Sequence, residues 1–562
     1  MNKFLKKVQT KVGQKLADLP GFDQTSLVPN VSIAIPYYPT LQPPSLKLIY
    51  LLRKQRGVNL GSWFTLENWL TPSLFTHAAH SKSSEMDILQ GMSSDLSQAK
   101  SMLNQHWANF VNEGDWEWMV SHGINTVRIP ISYYHFLPSH PDPAIRGLIS
   151  STEYAGYESV YADAWGYIVN AIETAHKHSI GVLIDLHAAP GAQNNDAHSG
   201  LSGGHAGLWD SGDKQQLTVS ILVALAKEIV RFPNVVGLEV LNEPKNTDML
   251  QGFYDTVINA IAQAGISTMD LPLYISDSWD IRWYCQYIDK KANEGKFLVL
   301  DHHLYRCFTQ SDHSKSAHQH ARDVHPNSNP SGGSLSMLSN AASKTGSALV
   351  IGEWSAALNP ASLDQYGSHE EKRAAQAEWG HSQWEAYEMY CGGYFFWTLK
   401  KEGAPDRGWC FYSAVEQGVL PAFVDRMKEA FHRNPRELDA LRAQGVVERQ
   451  EAFHAHANWW DQNSSAEDRR KFEHWRFEDG YVSGWDDALA FWFGDLGEDL
   501  GGELGGSVLG GSELGFIRWW KKVRAEGHKV EKGPGGGKGM VWEFEHGYDQ
   551  AVRRFREVVK HS

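Results

Sequence analysis

The sequence predicts an α/β protein: a (β/α)8 TIM barrel carrying a C-terminal helical extension rich in tryptophan and glycine. Three observations lead there. Short runs apolar on both faces recur eight times, at 56–61, 125–131, 181–188, 235–243, 271–279, 297–305, 348–356 and 392–400. Segments of helical periodicity, such as WGYIVNAIETAHKHS and QLTVSILVALAKEIVRF, separate them. Polar residues gather at the C-terminal end of strand after strand, which is where a parallel barrel places its chemistry. A doubly wound open sheet is the rival arrangement. It calls for a glycine-rich phosphate loop after the first strand, and GVNLGSW is a poor one.

The barrel is assigned to residues 51–424, preceded by segment 1–50 and followed by segment 425–562. In the first segment Phe4, Leu5, Val8, Val12 and Leu16 recur at helical spacing with lysines between them. This predicts an amphipathic helix, which either docks on its own protein or makes weak contact with a membrane surface. IPYYPTLQPP reads as a strand or loop closing the barrel base. Beyond the barrel, PAFVDRMKEAFHRNPRELDALRAQ is helical and GEDLGGELGGSVLGGSELGF is a low-complexity loop. GPGGGKGM fails as a phosphate loop, having the wrong spacing and no Ser or Thr after its lysine.

The totals narrow the functional classes. With 562 residues, 42% of them hydrophobic and 12% aromatic, the chain can bury a large core. A net charge of −14 argues against nucleic acid as the partner, since phosphate binding needs a basic surface. No run approaches the roughly 20 apolar residues of a membrane span, so no transmembrane segment is expected. The N-terminal stretch lacks the apolar core of a secretory signal, so an intracellular, cytoplasmic location is expected. Without secretion the sequons at Asn30 and Asn463 carry little weight. Cys285, Cys307, Cys391 and Cys410 are widely spaced and suggest neither a disulfide framework nor a zinc motif. Oligomeric state is left open.

Chemistry is sought at the strand ends: Asn59, Glu67, Arg128, Asp185, His187, Asn242, Glu243, Asp277, His302, His303, Tyr305, Glu353 and Trp397. The apolar run from Val235 to Leu241 finishes in Asn242, Glu243 and Pro244, and a buried carboxylate is costly unless something compensates it. Glu243 on the fourth strand and Glu353 on the seventh face each other across the expected mouth. Glycoside hydrolysis needs such a pair, about 5–5.5 Å apart for retention and about 6.5–9.5 Å apart for inversion. Two close carboxylates do not both ionise easily, so one is expected to keep its proton and serve as the acid. The plainer reading is two salt-bridged glutamates. Asn242 either donates to a sugar hydroxyl or caps the turn, and Arg128 either holds Glu353 ionised or forms a structural ion pair. Pro244 is expected to restrict Glu243 to extended backbone. His187, His302 and His303 lack a metal-binding motif, so no metal and no cofactor are expected. His454 and His456, well beyond the barrel, are expected at the surface, and no GxSxG elbow supports a serine nucleophile.

From about residue 56 to 415 the chain resembles glycoside hydrolase family 5, in the branch of fungal exo-β-1,3-glucanases. The resemblance rests on ordered motifs: RGVNLGSWFTLENWLTPSLF, GINTVRIPISYYHF, IDLHAAPGAQN, LEVLNEPK, LDHHLYRCF, IGEWSAAL and FFWTLKKE. It implies that Glu243 is the general acid/base and Glu353 the nucleophile of a retaining reaction. By the same resemblance Asn242 binds a sugar hydroxyl, Arg128 supports the nucleophile, and His303 and Tyr305 position nucleophile and sugar. Glu67 and His187 would hold hydroxyls of the terminal glucose, Trp397 would form the floor under its ring, and Phe308 would flank the leaving group. The chain departs from the pattern after IDLHAAPGAQN, where NDAHSG stands in place of a segment like GFDNSG. An aromatic is thus missing near Asp196, His198 replaces an asparagine, and Leu399 stands where a second tryptophan is common.

The expected activity is release of glucose from β-glucosides in the manner of an exo-β-1,3-glucanase, by double displacement, with transglycosylation where a sugar outcompetes water. One alternative is an intracellular β-glucosidase acting on glucosides of lipids or small aglycones. A second is a barrel that binds carbohydrate without turnover.

Overall fold

A computed structural model of the protein describes residues 38–40, 42–327, 333–423, 435–494, 511–534 and 539–561. The expected N-terminal helix, most of the glycine-rich loop and the centre of GPGGGKGM lie outside these residues.

Eight parallel strands close into one barrel in sequence order. They are β1 (Gln55–Asn59), β2 (Thr126–Ser132), β3 (Gly181–Ala188), β4 (Val235–Glu239), β5 (Leu273–Ser276), β6 (Leu298–Leu304), β7 (Leu349–Trp354) and β8 (Gly393–Phe396). Each coincides with a run expected from sequence. Helices pack outside, each turning one apolar stripe inward. In Ala164–Lys177 that stripe is Ala164, Trp165, Ile168, Ala171, Ile172 and Ala175, the spacing of one helical face.

The strands are not apolar on both faces throughout. Their outward side chains, such as Val182, Ile184 and Leu186 of β3, join the core beneath the helices. Facing inward, Leu183, Val236, Tyr274, Val299, Val350 and Phe395 form an apolar lower layer. Above them the interior is charged: Arg128, Asp185, Glu239 and Asp301 are fully buried. Gly352 makes room for this layer, because a Cβ there would stand 2.0 Å from the Asp301 carboxylate. β4 is shorter than its apolar run, so Asn242 and Glu243 lie just beyond the ladder.

The base is closed by a helix, Leu46–Leu52, which follows the Pro-rich piece IPYYPTLQPP, whose described residues form neither helix nor strand. Ser45 caps it by accepting from the Leu48 N–H. Its Ile49, Tyr50, Leu51 and Leu52 pack against the lower layer together with Phe516, Trp519 and Trp520 of the C-terminal extension. The extension therefore sits at the end of the barrel opposite the strand C-termini. An antiparallel bridge between Arg53 and Leu514 fastens the two parts.

Within the extension, helices Trp475–Phe493 and Val541–His561 cross at close range. A Cβ on Gly547 would lie 2.0 Å from the Phe477 carbonyl oxygen. Gly547→Ala is accordingly expected to lower the thermal unfolding midpoint, with a loss of about 1–3 kcal/mol from overpacking. Gly252→Ala, where a Cβ meets nothing within 4 Å, is expected to leave the midpoint unchanged or slightly raised. Asp487 is the polar hub of this core, accepting from Trp520 Nε1 at 2.8 Å, Tyr548 Oη at 2.7 Å and Arg524 Nε at 3.0 Å. His454 is exposed as expected, but His456 is buried. Helix Val541–His561 covers its face, through the contact of His456 with Glu543.

Candidate active site

Arg128 organises the upper barrel. A guanidinium has five N–H donors, and all five are used inside the barrel. Nε donates to Glu239 at 2.6 Å, Nη1 to Asn59 at 2.9 Å and Glu353 at 3.0 Å, and Nη2 to Glu239 at 3.0 Å and Asn242 at 2.8 Å. Asp185 lies a further 3.0 Å from Nη2. Burial would lower the guanidinium's pKa, yet Asp185, Glu239 and Glu353 outweigh it and hold the group well above its ordinary value.

Glu353, at the end of β7, has one oxygen on Arg128 and accepts from the Tyr305 hydroxyl on the other at 2.7 Å. Glu243 Oε1 is 2.7 Å from His303 Nδ1, and the same nitrogen is 3.6 Å from Glu353 Oε2. One atom from each of Glu243, His303 and Glu353 falls within 4.8 Å of the others. The two glutamates singled out in the sequence thus meet across one imidazole.

Burial alone would lower His303, but Glu353, Asp301 and the hydrogen bond to Glu243 raise it well above the usual histidine range. Glu243 in turn is held below the ordinary carboxylate range, because His303 outweighs its burial. Both directions favour an ionised Glu243 against a protonated His303.

The backbone at Glu243 also differs from expectation. Its φ is +41°, in the left-handed region and not extended. Proline disfavours the right-handed helical region for the residue before it, and that restriction alone does not dictate an extended chain. The turn is gripped by the loop after β3. Gln193 Nε2 donates to the Asn242 carbonyl at 3.0 Å, and Asn194 Nδ2 donates to the Glu243 carbonyl at 3.0 Å. The Ser278 hydroxyl donates to the Pro244 carbonyl at 2.6 Å. Gln193 and Asn194 were missed as site residues, although the motif containing them was noted.

The other expected residues surround the same space. Asn242 spends its oxygen on Arg128, which turns its amide nitrogen toward His187 Nε2 at 3.5 Å. Asp185 fixes the opposite nitrogen of His187 at 2.6 Å, and burial lowers this imidazole well below its usual pKa, leaving it neutral. The Trp397 ring lies parallel to His187 at 5.9 Å, and its peptide bond to Thr398 is cis. Glu67 takes the Trp69 indole N–H on Oε2 at 2.8 Å, while its buried Oε1 has no protein partner. Phe308 is 66% exposed and forms an aromatic rim with Tyr305 and Trp409. Trp409 and the interior acids Glu239 and Asp301 were not foreseen. His302 instead pairs outside this cluster with Asp277, at 2.7 Å.

His198 stands where the resemblance expected an asparagine. Its Nε2 is 3.8 Å from Glu243 Oε2 and 3.1 Å from Asn194 Nδ2. The neighbour of Glu243 on this side is an imidazole.

Comparison with known proteins agrees with this architecture. Residues 441–559 match the family described as the glucan 1,3-beta-glucosidase 3 C-terminal domain. The chain is 30% identical to glucan 1,3-beta-glucosidase 3 of Schizosaccharomyces pombe, over 85% of this chain and 91% of that protein. It is 27% identical to an uncharacterised glycosyl hydrolase of Saccharomyces cerevisiae, covering 94% and 96% of the two chains. A probable glucan 1,3-beta-glucosidase A of Aspergillus niger is 28% identical and covers 65% of this chain. The fold is similar to the crystal structure of a rutinosidase from Aspergillus niger, with a TM-score of 0.50 at 19% identity, covering 66% of this chain and 98% of that one. Residues 87–403, more than half of the sequence, match the cellulase family, glycosyl hydrolase family 5; the chain belongs to that family and is a glycosidase.

Proposed function

We propose that the protein is a retaining β-glucosidase of the glucan 1,3-β-glucosidase type. The observation that carries this is the approach of Glu243 and Glu353 to within 4.8 Å, atom to atom, with Glu353 held by Arg128 and Tyr305. Such a spacing favours direct attack by a carboxylate, since an inverting pair needs room for a water. The relatives named as glucan 1,3-beta-glucosidases support the substrate class.

In the first step Glu353 attacks the anomeric carbon while the bond to the leaving oxygen breaks. That oxygen takes the proton carried by the Glu243–His303 pair. In the second step Glu243 removes a proton from water as the water oxygen displaces Glu353, which restores both carboxylates and the protonated pair. A sugar hydroxyl in place of water gives transglycosylation. Trp397 supplies a flat apolar wall for the ring, and Asn242, His187 and Glu67 turn hydrogen-bonding atoms toward its hydroxyls.

His198 beside the acid favours a second reading, in which the leaving group is a small or lipid aglycone. A panel of laminarioligosaccharides, gentiobiose, an aryl β-glucoside and a glucosyl lipid separates the two. Preference for laminarioligosaccharides supports the glucan reading; turnover confined to aryl or lipid glucosides replaces it with the second. If none is hydrolysed, both are wrong.

Binding should also depend on pH through Glu67. Burial pushes its carboxyl up to about 7, with nearby His198 opposing that rise. Above that pH the ionised group accepts hydroxyl protons on Oε1; below it, protonation removes acceptor capacity. KM should therefore rise as pH falls through about 7, by on the order of tenfold per pH unit at most. Glu67→Gln should flatten that limb of the profile. An unchanged limb would remove Glu67 from sugar binding.

A further inference from the structure

The C-terminal extension contains a second cluster of chemically able side chains, far from the carboxylate pair. His456 of helix Pro435–Asn463, His474 just before helix Trp475–Phe493, and Glu543 of helix Val541–His561 converge there. One donor atom from each lies within 4.8 Å of the others. Glu543 Oε2 is 2.7 Å from His474 Nδ1 and 3.1 Å from His456 Nε2. We propose that these three residues form a structural binding site for a divalent transition metal of the zinc class.

Charge is the first argument. The side chains of Glu543 and His456 have no exposed surface, and no Lys or Arg pairs with Glu543 among the described residues. A buried carboxylate needs compensation, and among the described residues two imidazoles and the Glu473 backbone N–H face it. The rings of Phe477, which stacks on His456 at 4.1 Å, Trp542 and Phe472 wall the cluster. A metal cation answers the carboxylate and takes the imidazole nitrogens that face it as ligands.

Orientation is the second. Ligand atoms in metal sites are aimed by partners on their far sides, and each of the three has one. His474 Nε2 faces Asp461 at 3.5 Å. His456 Nδ1 faces His546 Nδ1 at 3.2 Å, and His546 is itself tied to Gln550 at 2.8 Å. Glu543 Oε1 accepts the Glu473 backbone N–H at 2.8 Å. The donor set decides the metal class. Two imidazoles and one carboxylate suit zinc, whereas magnesium and calcium require mostly oxygen ligands. The ion would add one more tie between three segments already joined by packing, by the Arg554–Glu448 ion pair and by the Trp485 Nε1 bond to the Leu441 carbonyl.

The test uses the untagged full-length protein. Metal content after purification without chelator is measured by mass spectrometry, and zinc is then titrated into protein stripped with a chelator. The expected result is one zinc per chain, displaced by neither magnesium nor calcium, and a thermal midpoint that falls on stripping and returns with zinc. His474→Gln, changing the residue at the rim of the cluster, should bind zinc about 100-fold more weakly and remain folded even if Glu543→Gln does not. Glu353→Gln should retain the full zinc content. The proposal is overturned if stripped wild type binds no zinc, if His474→Gln binds it unchanged, or if Glu353→Gln loses it, which would place the ion in the catalytic site. In the first of these cases the cluster is a hydrogen-bond network only.

Discussion

Glu353→Ala is expected to reduce β-glucoside hydrolysis by about 10⁵-fold, the scale on which hydrolases lose activity when a nucleophile is removed. The fold should survive, because Arg128 keeps Glu239, Asp185, Asn59 and Asn242 as partners. Added azide sharpens the test. In Glu353→Ala a small anion can enter the space of the lost carboxylate and attack from that face, giving the α-glucosyl azide. In Glu243→Ala the glycosyl-enzyme still forms with an activated leaving group, and azide then displaces Glu353 to give the β-anomer. Product NMR distinguishes them. If Glu353→Ala gives the β-anomer, or if it keeps most of its activity, Glu353 is not the nucleophile.

Arg128→Met should have the largest effect on stability. The side chain fits the space, but three buried carboxyl groups lose their guanidinium at once. Breaking a buried ion pair by removing one partner costs about 3–5 kcal/mol, and here the partner is shared. Denaturant unfolding should show a correspondingly lower midpoint, or the protein should fail to accumulate. Arg128→Lys separates charge from geometry. An ammonium keeps the charge but brings three donors in place of five and cannot form the same fork. It should recover part of the stability and little of the kcat, because Glu353 and Asn242 can no longer both be held. Full activity in Arg128→Lys would mean that positioning through this residue is unimportant.

The strands were legible because a barrel strand surrounded by helices buries its outward side chains, and apolar runs between helical segments are visible in a sequence. The pair of facing glutamates was legible for the opposite reason: a carboxylate at the end of such a run has few structural excuses. The interior acids were harder. Glu239 sits inside GLEVLNE, and the two glutamates of that stretch are told apart only by the ladder. A register irregularity between β3 and β4 separates Val182 and Leu183 and brings Leu183 opposite Gly237, and Glu239 ends up on Arg128 inside the barrel. Two expectations failed for related reasons. Glu243 was expected extended from its proline alone, but loop residues distant in sequence hold its carbonyl. His456 was expected at the surface because one helix does not announce that another will cover it.

The sealing of the lower barrel by Leu46–Leu52, Phe516 and Trp519 has a kinetic consequence. A chamber stoppered at one end has a single doorway, so whatever arrives first must be last to leave. On the proposed double displacement the terminal glucose is seated deepest, and the detached remainder of the substrate stands between it and solvent. That remainder must depart before water can reach the covalent intermediate. The proposed mechanism thus predicts ordered release, with the aglycone ahead of glucose. An acceptor that lingers in the doorway is placed to intercept the sugar before water does.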